Sequence, residues 1–252
     1  MYKKILVLIT IVIFSTCSIQ KKRPRETWIE KPVSEWPDIV MTNSIEFTDK
    51  TYEKIANSFF VDTGADTLAI TCKHLFLVFQ EIGLEKIDLG EKFVSWKIYP
   101  KLQPDKAIQI QRLLNANRKE SIGEFRNLKD RDWLILQPAK LDTGIYPLKI
   151  RFEAVRKHEV VYALGWAKDQ NTERPSLIKL MCHKNMGSFF YTETLTKNVS
   201  PKGRSGSPVI DQNGYLVGIV SGAEGNLGVI GAVRSLQKVL DSYSLGYSEN
   251  NL

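Results

Sequence analysis

An all-β fold is what this 252-residue sequence predicts, and three observations predict it. From about Ile39 the apolar residues arrive in short runs of strand length. Residues 58–61 and 67–71 are rich in Phe, Ile and Thr and flank a turn at residues 62–66, where Gly64 supplies the freedom a reversal needs. The pair reads as a hairpin. The apolar residues Leu236, Val239 and Leu240 have the spacing of one short helix near the end of the chain.

Length and composition set the bounds. The chain can form one large domain or two small ones around a well-buried core. A hydrophobic share of 43% and a charged share of 25% place it among ordinary globular proteins. The net charge of +7 is spread along the sequence, with one local run at Lys21-Lys22-Arg23. No nucleic-acid-binding motif accompanies it, so the charge reads as solvated surface. Cys17, Cys72 and Cys182 are too few and too scattered for a disulfide framework or a zinc site, and no metal or cofactor is implied. Cys72 and Cys182 could pair in an exported protein, but they read rather as buried thiols in different halves of the fold.

Taken in order, residues 1–20 have the pattern of an export signal: Lys3 and Lys4, then a short apolar core at residues 5–14. Cys17 follows Phe14-Ser15-Thr16, which resembles a bacterial lipoprotein box although Thr16 and Phe14 depart from it. Lipidation at Cys17, cleavage nearby and an uncleaved anchor all stay open. The pattern predicts an exported protein of the periplasm or cell envelope, or a secreted one. Residues 21–38 are basic, carry three prolines and lack periodicity, so they read as a tether. Residues 93–99 and 107–114 look like strands, although 109–117 also fits a helix, and residues 138–147 look like a connection between two halves. Further strands fall at residues 160–166, 176–182, 188–194, 215–221 and 228–233.

The chemistry centres on Gly203-Arg204-Ser205-Gly206-Ser207-Pro208-Val209. A serine between two glycines lies on a tight loop that can expose its hydroxyl and aim successive N–H groups at one point. Alone, such a tetrapeptide is more often an ordinary turn. Upstream, however, a strand runs into Thr71-Cys72-Lys73-His74, and Asp132 opens the apolar run Trp133-Leu134-Ile135-Leu136. Asp130 is the weaker candidate for the acid, because Asp132 would then occupy an apolar position.

These three segments resemble the corresponding motifs of chymotrypsin-fold serine peptidases, closest to their bacterial trypsin-like and glutamyl-endopeptidase branch. The resemblance covers about residues 58–240. It implies two six-stranded antiparallel β-barrels with a short C-terminal helix, the first barrel at residues 39–146 and the second at 147–245. It also implies a catalytic triad of His74, Asp132 and Ser205 in the chain order His, Asp, Ser, an oxyanion hole of the Gly203 and Ser205 N–H groups, and a polypeptide substrate. Val199, Ser200, Ser221, Gly222, Ala223 and Gly228 would line the substrate pocket. Val199 replaces the acid of trypsins and Val220 the histidine of glutamyl endopeptidases, which leaves a neutral pocket. Lys73 and Arg204 depart from the family pattern. They motivate a second reading, an inactive peptide-binding module on the same barrels; esterase chemistry is a third. Oligomeric state is not legible.

Overall fold

The computed structural model describes residues 23–141 and 144–243. The export pattern at residues 1–20 and Cys17 lie outside them. The first half carries β1 (Val40–Phe47), β2 (Thr51–Asp62), β3 (Thr67–Thr71), β4 (Lys86–Ile87), β5 (Phe93–Tyr99), β6 (Ile108–Leu113), β7 (Asn117–Ser121), β8 (Leu134–Pro138) and β9 (Leu148–Lys149). Two one-turn helices join them, α1 (Phe76–Phe79) and α2 (Phe125–Leu128). The second half carries β10 (Val160–Gly165), β11 (Ser176–Asn185), β12 (Phe189–Thr194), β13 (Pro208–Ile210), β14 (Leu216–Glu224) and β15 (Leu227–Ala232), then α3 (Val233–Ser242).

Each half closes into a six-stranded antiparallel barrel, as expected. The first follows the order β1-β5-β6-β8-β3-β2 and is sealed by pairing of β1 with β2. Strand β9 adds to β2 in parallel on the outside, and β4 and β7 form a small separate sheet. The second follows β10-β11-β12-β15-β14-β13. Closure leaves no long open edge. Alternation builds the walls: in β6, Ile108 and Ile110 are buried while Gln109 and Gln111 face water, so of residues 109–117 the stretch to Leu113 is strand, followed by a turn into β7.

One apolar cluster fills the first barrel and runs across the seam to Trp166, Ile210, Leu216 and Leu236, while a smaller one centred on Val161, Phe190 and Val209 fills the second. Trp133 is fully buried and donates its indole N–H to Ser235 Oγ of α3 (2.9 Å), tying the terminal helix to the first barrel. Cys72 and Cys182 are buried free thiols.

Residues 23–38 depart from the expected tether. Trp28 and Trp36 are buried and meet edge to face at 4.8 Å, with Tyr146 against Trp28. Glu26 accepts hydrogen bonds from Lys149 Nζ (2.9 Å) and the Tyr146 hydroxyl, and Tyr215 donates to Pro24 O. Two indoles carry enough apolar area to dock a segment that lacks strand or helix periodicity. The segment therefore clamps both halves, touching β9 on one side and the turn before β14 on the other. Replacing Trp28 by alanine should cost about 3–5 kcal/mol, read as a lower urea midpoint. An unchanged midpoint would mean the segment adds nothing to the fold.

Candidate active site

The neighbours β3 and β8 bring the first two residues together. They pair antiparallel, with Thr71 opposite Leu134, so the end of β3 lies beside the start of β8. His74 sits in the 3-10 turn that follows β3, and Asp132 just before β8. The Asp132 carboxylate is fully buried. One oxygen accepts the His74 backbone N–H and the other the Nδ1–H of the ring, each at 2.7 Å. A buried carboxylate needs such partners, and this pair also dictates the tautomer, leaving Nε2 free as a proton acceptor. Asp130 is exposed and reaches Ser188 instead.

Burial pushes the His74 imidazole toward neutrality, but the Asp132 carboxylate, with a smaller contribution from Cys72, outweighs it. The group is held well above its ordinary value. The ring is 15% exposed at its side chain and meets Phe125 of α2 edge-on at 5.5 Å.

Ser205 lies in the loop between β12 and β13, and it lines the same cavity of about 500 Å³ as His74 and Gly203. Two glycines permit the loop. Gly203 (φ +81°) and Gly206 (φ +78°) adopt left-handed backbone, and a Cβ on Gly206 would lie 2.0 Å from Asn57 O. The N–H groups of Gly203 and Ser205 are not engaged by any other described residue, as an oxyanion site requires.

Asn57 on β2, which no motif marked, holds this loop in place. Its backbone N–H donates to Ser205 O (2.7 Å). Its side-chain amide donates to Gly203 O (3.0 Å) and Trp166 O (3.1 Å), while its Oδ1 accepts Trp166 N–H. One buried residue of the first barrel thus pins the Ser205 loop of the second. The only sequence signal was a polar residue inside an apolar strand-like run.

The two departures noted in sequence are both taken up by other partners. Lys73 is buried and pairs with Glu120 (3.0 Å), which also takes Arg131; burial lowers its pKa and Glu120 opposes that. Arg204 is 5% exposed and donates to Ser200 O, Gly165 O and Ser176 Oγ at 2.7–2.8 Å. It braces the loop from behind. Of the expected pocket residues, Gly222 and Ala223 lie on β14 opposite Val229 and Gly228 of β15, Ser221 sits in the bulge just before them, and Val199 packs on the second core. None of these lines the 500 Å³ cavity. Phe125, missed in sequence, covers Gly222 so closely that a Cβ there would meet the ring at 2.7 Å.

The family model described as the trypsin-like peptidase domain matches residues 56–219. Among solved structures, the chain is similar to the active form of the Rv3671c protease from M. tuberculosis, at 15% identity and a TM-score of 0.57 over 90% of each chain. It is similar also to the inactive form of that protease, at 15% identity and a TM-score of 0.54, over 88% of this chain and 98% of the other. No curated protein matches the sequence.

Asn57→Ala would strip partners from the buried Trp166 carbonyl and the part-buried Gly203 carbonyl. The expected loss is about 2 kcal/mol or more, or a melting temperature lower by roughly 4–8 °C. The exposed change Ser44→Ala should move it hardly at all.

Proposed function

This chain belongs to the trypsin-like peptidase domain family, and on that premise we propose that it is a serine endopeptidase working through His74, Asp132 and Ser205. The observation that carries the reading is the double hydrogen bond from His74 to the buried Asp132, set in one cavity with Ser205. A serine hydroxyl is a weak nucleophile until a base takes its proton. His74 Nε2 takes that proton as Ser205 Oγ attacks the scissile carbonyl. Asp132 keeps the ring oriented and stabilises the imidazolium. The carbonyl oxygen, now an oxyanion, is met by the N–H groups of Gly203 and Ser205. His74 then protonates the departing amine, and the acyl group left on Ser205 is hydrolysed by water activated in the same way.

The inactive-module reading drew on Lys73 and Arg204, and neither supports it. Lys73 is paired with Glu120, and Arg204 is spent on backbone carbonyls and Ser176. Val199 and a pocket without an acid favour neutral acyl-side residues. Export, with lipidation at Cys17 or cleavage nearby, belongs to the same proposal and rests on the pattern of residues 1–20.

A fluorophosphonate probe should label the wild type at Ser205 and leave Ser205→Ala unlabelled; a wild type that resists the probe sinks the catalytic reading. The base works only when unprotonated, and Asp132 raises its pKa in the folded protein. Activity should therefore fall as pH drops through that raised value, with the acidic limb of kcat/KM above the usual ~6.5. In Asp132→Asn that limb should move down, with a loss of kcat on the order of 10⁴-fold.

A further inference from the structure

Strand β2 is distorted beside the proposed catalytic residues. Thr42 pairs with Asn57 and Asn43 with Ile55, so Ala56 has no partner; Glu53 and Lys54 together face the single Ser44. These are two successive bulges. At both, a residue with a side chain adopts left-handed backbone: Lys54 at φ 53° and Ala56 at φ 54°. Such conformations are costly outside glycine and persist only where the surroundings enforce them. The enforcement is visible. Asn43, fully buried, donates to the carbonyls of Ile55 and Ala56, Thr42 Oγ1 donates to Ala56 O, and Trp96 fixes Asn43 by donating to its Oδ1. Bulges next to an active site re-aim side chains, and both strained residues line the cavity that His74 and Ser205 share.

Three lysines belong to that cavity: Lys54 from the bulge, Lys101 after β5 and Lys168 beyond β10. None is ion-paired among the described residues. Lys54 and Lys168 are exposed, whereas Lys101 is buried and donates to Ala167 O and Gln170 O. Burial, and then the charge of Lys54, pull Lys101 below its ordinary pKa, with Asp169 opposing, so the two cations feel each other. The cavity's one carboxylate, Glu53, already accepts from Ser44 and Tyr99. The remaining lining is largely apolar, with Val78, Ala56, Leu75 and Trp166, a setting that strengthens the field of the lysines. About 500 Å³ is room for a few side chains.

We propose that this cavity binds the substrate segment C-terminal to the scissile bond and selects acidic side chains there, through Lys54 and Lys168. The assignment of sides rests on the serine-peptidase reading above, because the acyl-side residues Val199, Ser200 and 221–223 do not line this cavity. An anionic side chain would relieve the excess of positive charge, three lysines against one carboxylate, whereas a basic one would add to it.

The test is digestion of a mixed peptide library, with cleavage sites read by mass spectrometry. The wild type should favour Asp and Glu over Lys and Arg in the three positions after the cut by on the order of 10-fold, the scale of two exposed charge pairs. The preference should shrink as salt is raised and invert in Lys54→Glu/Lys168→Glu. No acidic enrichment in the wild type, or one unchanged in the double variant, overturns the proposal. If the wild type neither cleaves nor takes the fluorophosphonate, the peptidase reading has failed, and NMR titration of Ser205→Ala decides the cavity separately. Acidic tetrapeptides should then bind on the order of 10-fold more tightly than basic ones; equal binding overturns the assignment.

Discussion

The arrangement depends on one buried amide. Asn57 sits on a strand of the first barrel, yet its hydrogen bonds end on Ser205, Gly203 and Trp166 of the second. Two barrels that meet only through apolar contact could slide, because burial of apolar area is not directional. A satisfied amide in a dry seam has one geometry and is expensive to leave unpaired. It therefore converts adhesion into registration, and the Ser205 loop inherits a fixed position relative to His74 of the first barrel. Thr71 extends the arrangement by donating its hydroxyl to Asn57 O.

Charge is managed by a consistent rule around this seam. Asp132 is buried and satisfied twice by one residue, so it orients rather than repels. Lys73 and Arg204, the residues before His74 and Ser205, are buried and matched to a carboxylate or to carbonyls. The exposed Lys54 and Lys168 at the cavity are handled differently, with no carboxylate paired to them among the described residues. Satisfied cations serve the scaffold; unsatisfied ones face the space where a substrate would lie. The strained backbone at Lys54 and Ala56 falls on the same side of that division.

Much of the fold was legible because local pattern and tertiary role coincide there. The hairpin of β2 and β3, the run that becomes β8 and the terminal helix all carry their own periodicity. The N-terminal segment was misread for the opposite reason. Its three prolines and lack of period look like a spacer, while its order comes from Trp28 meeting both Trp36 and Tyr146, the latter more than a hundred residues away. The small sheet of β4 and β7 escaped notice because a two-residue strand has too little pattern to register.

By itself the sequence determined the residue types, their order and the loop chemistry: a serine between glycines, a histidine after a strand, an aspartate before one. Those are local properties, set by neighbours in the chain. Only the tertiary structure decided that Asp132 and not Asp130 faces His74, that Lys73 and Arg204 turn inward, and that Asn57 and Phe125 border the site. Each of these depends on which strands pair across the seam and on where a buried polar group finds a partner, and distance along the chain carries no information about either.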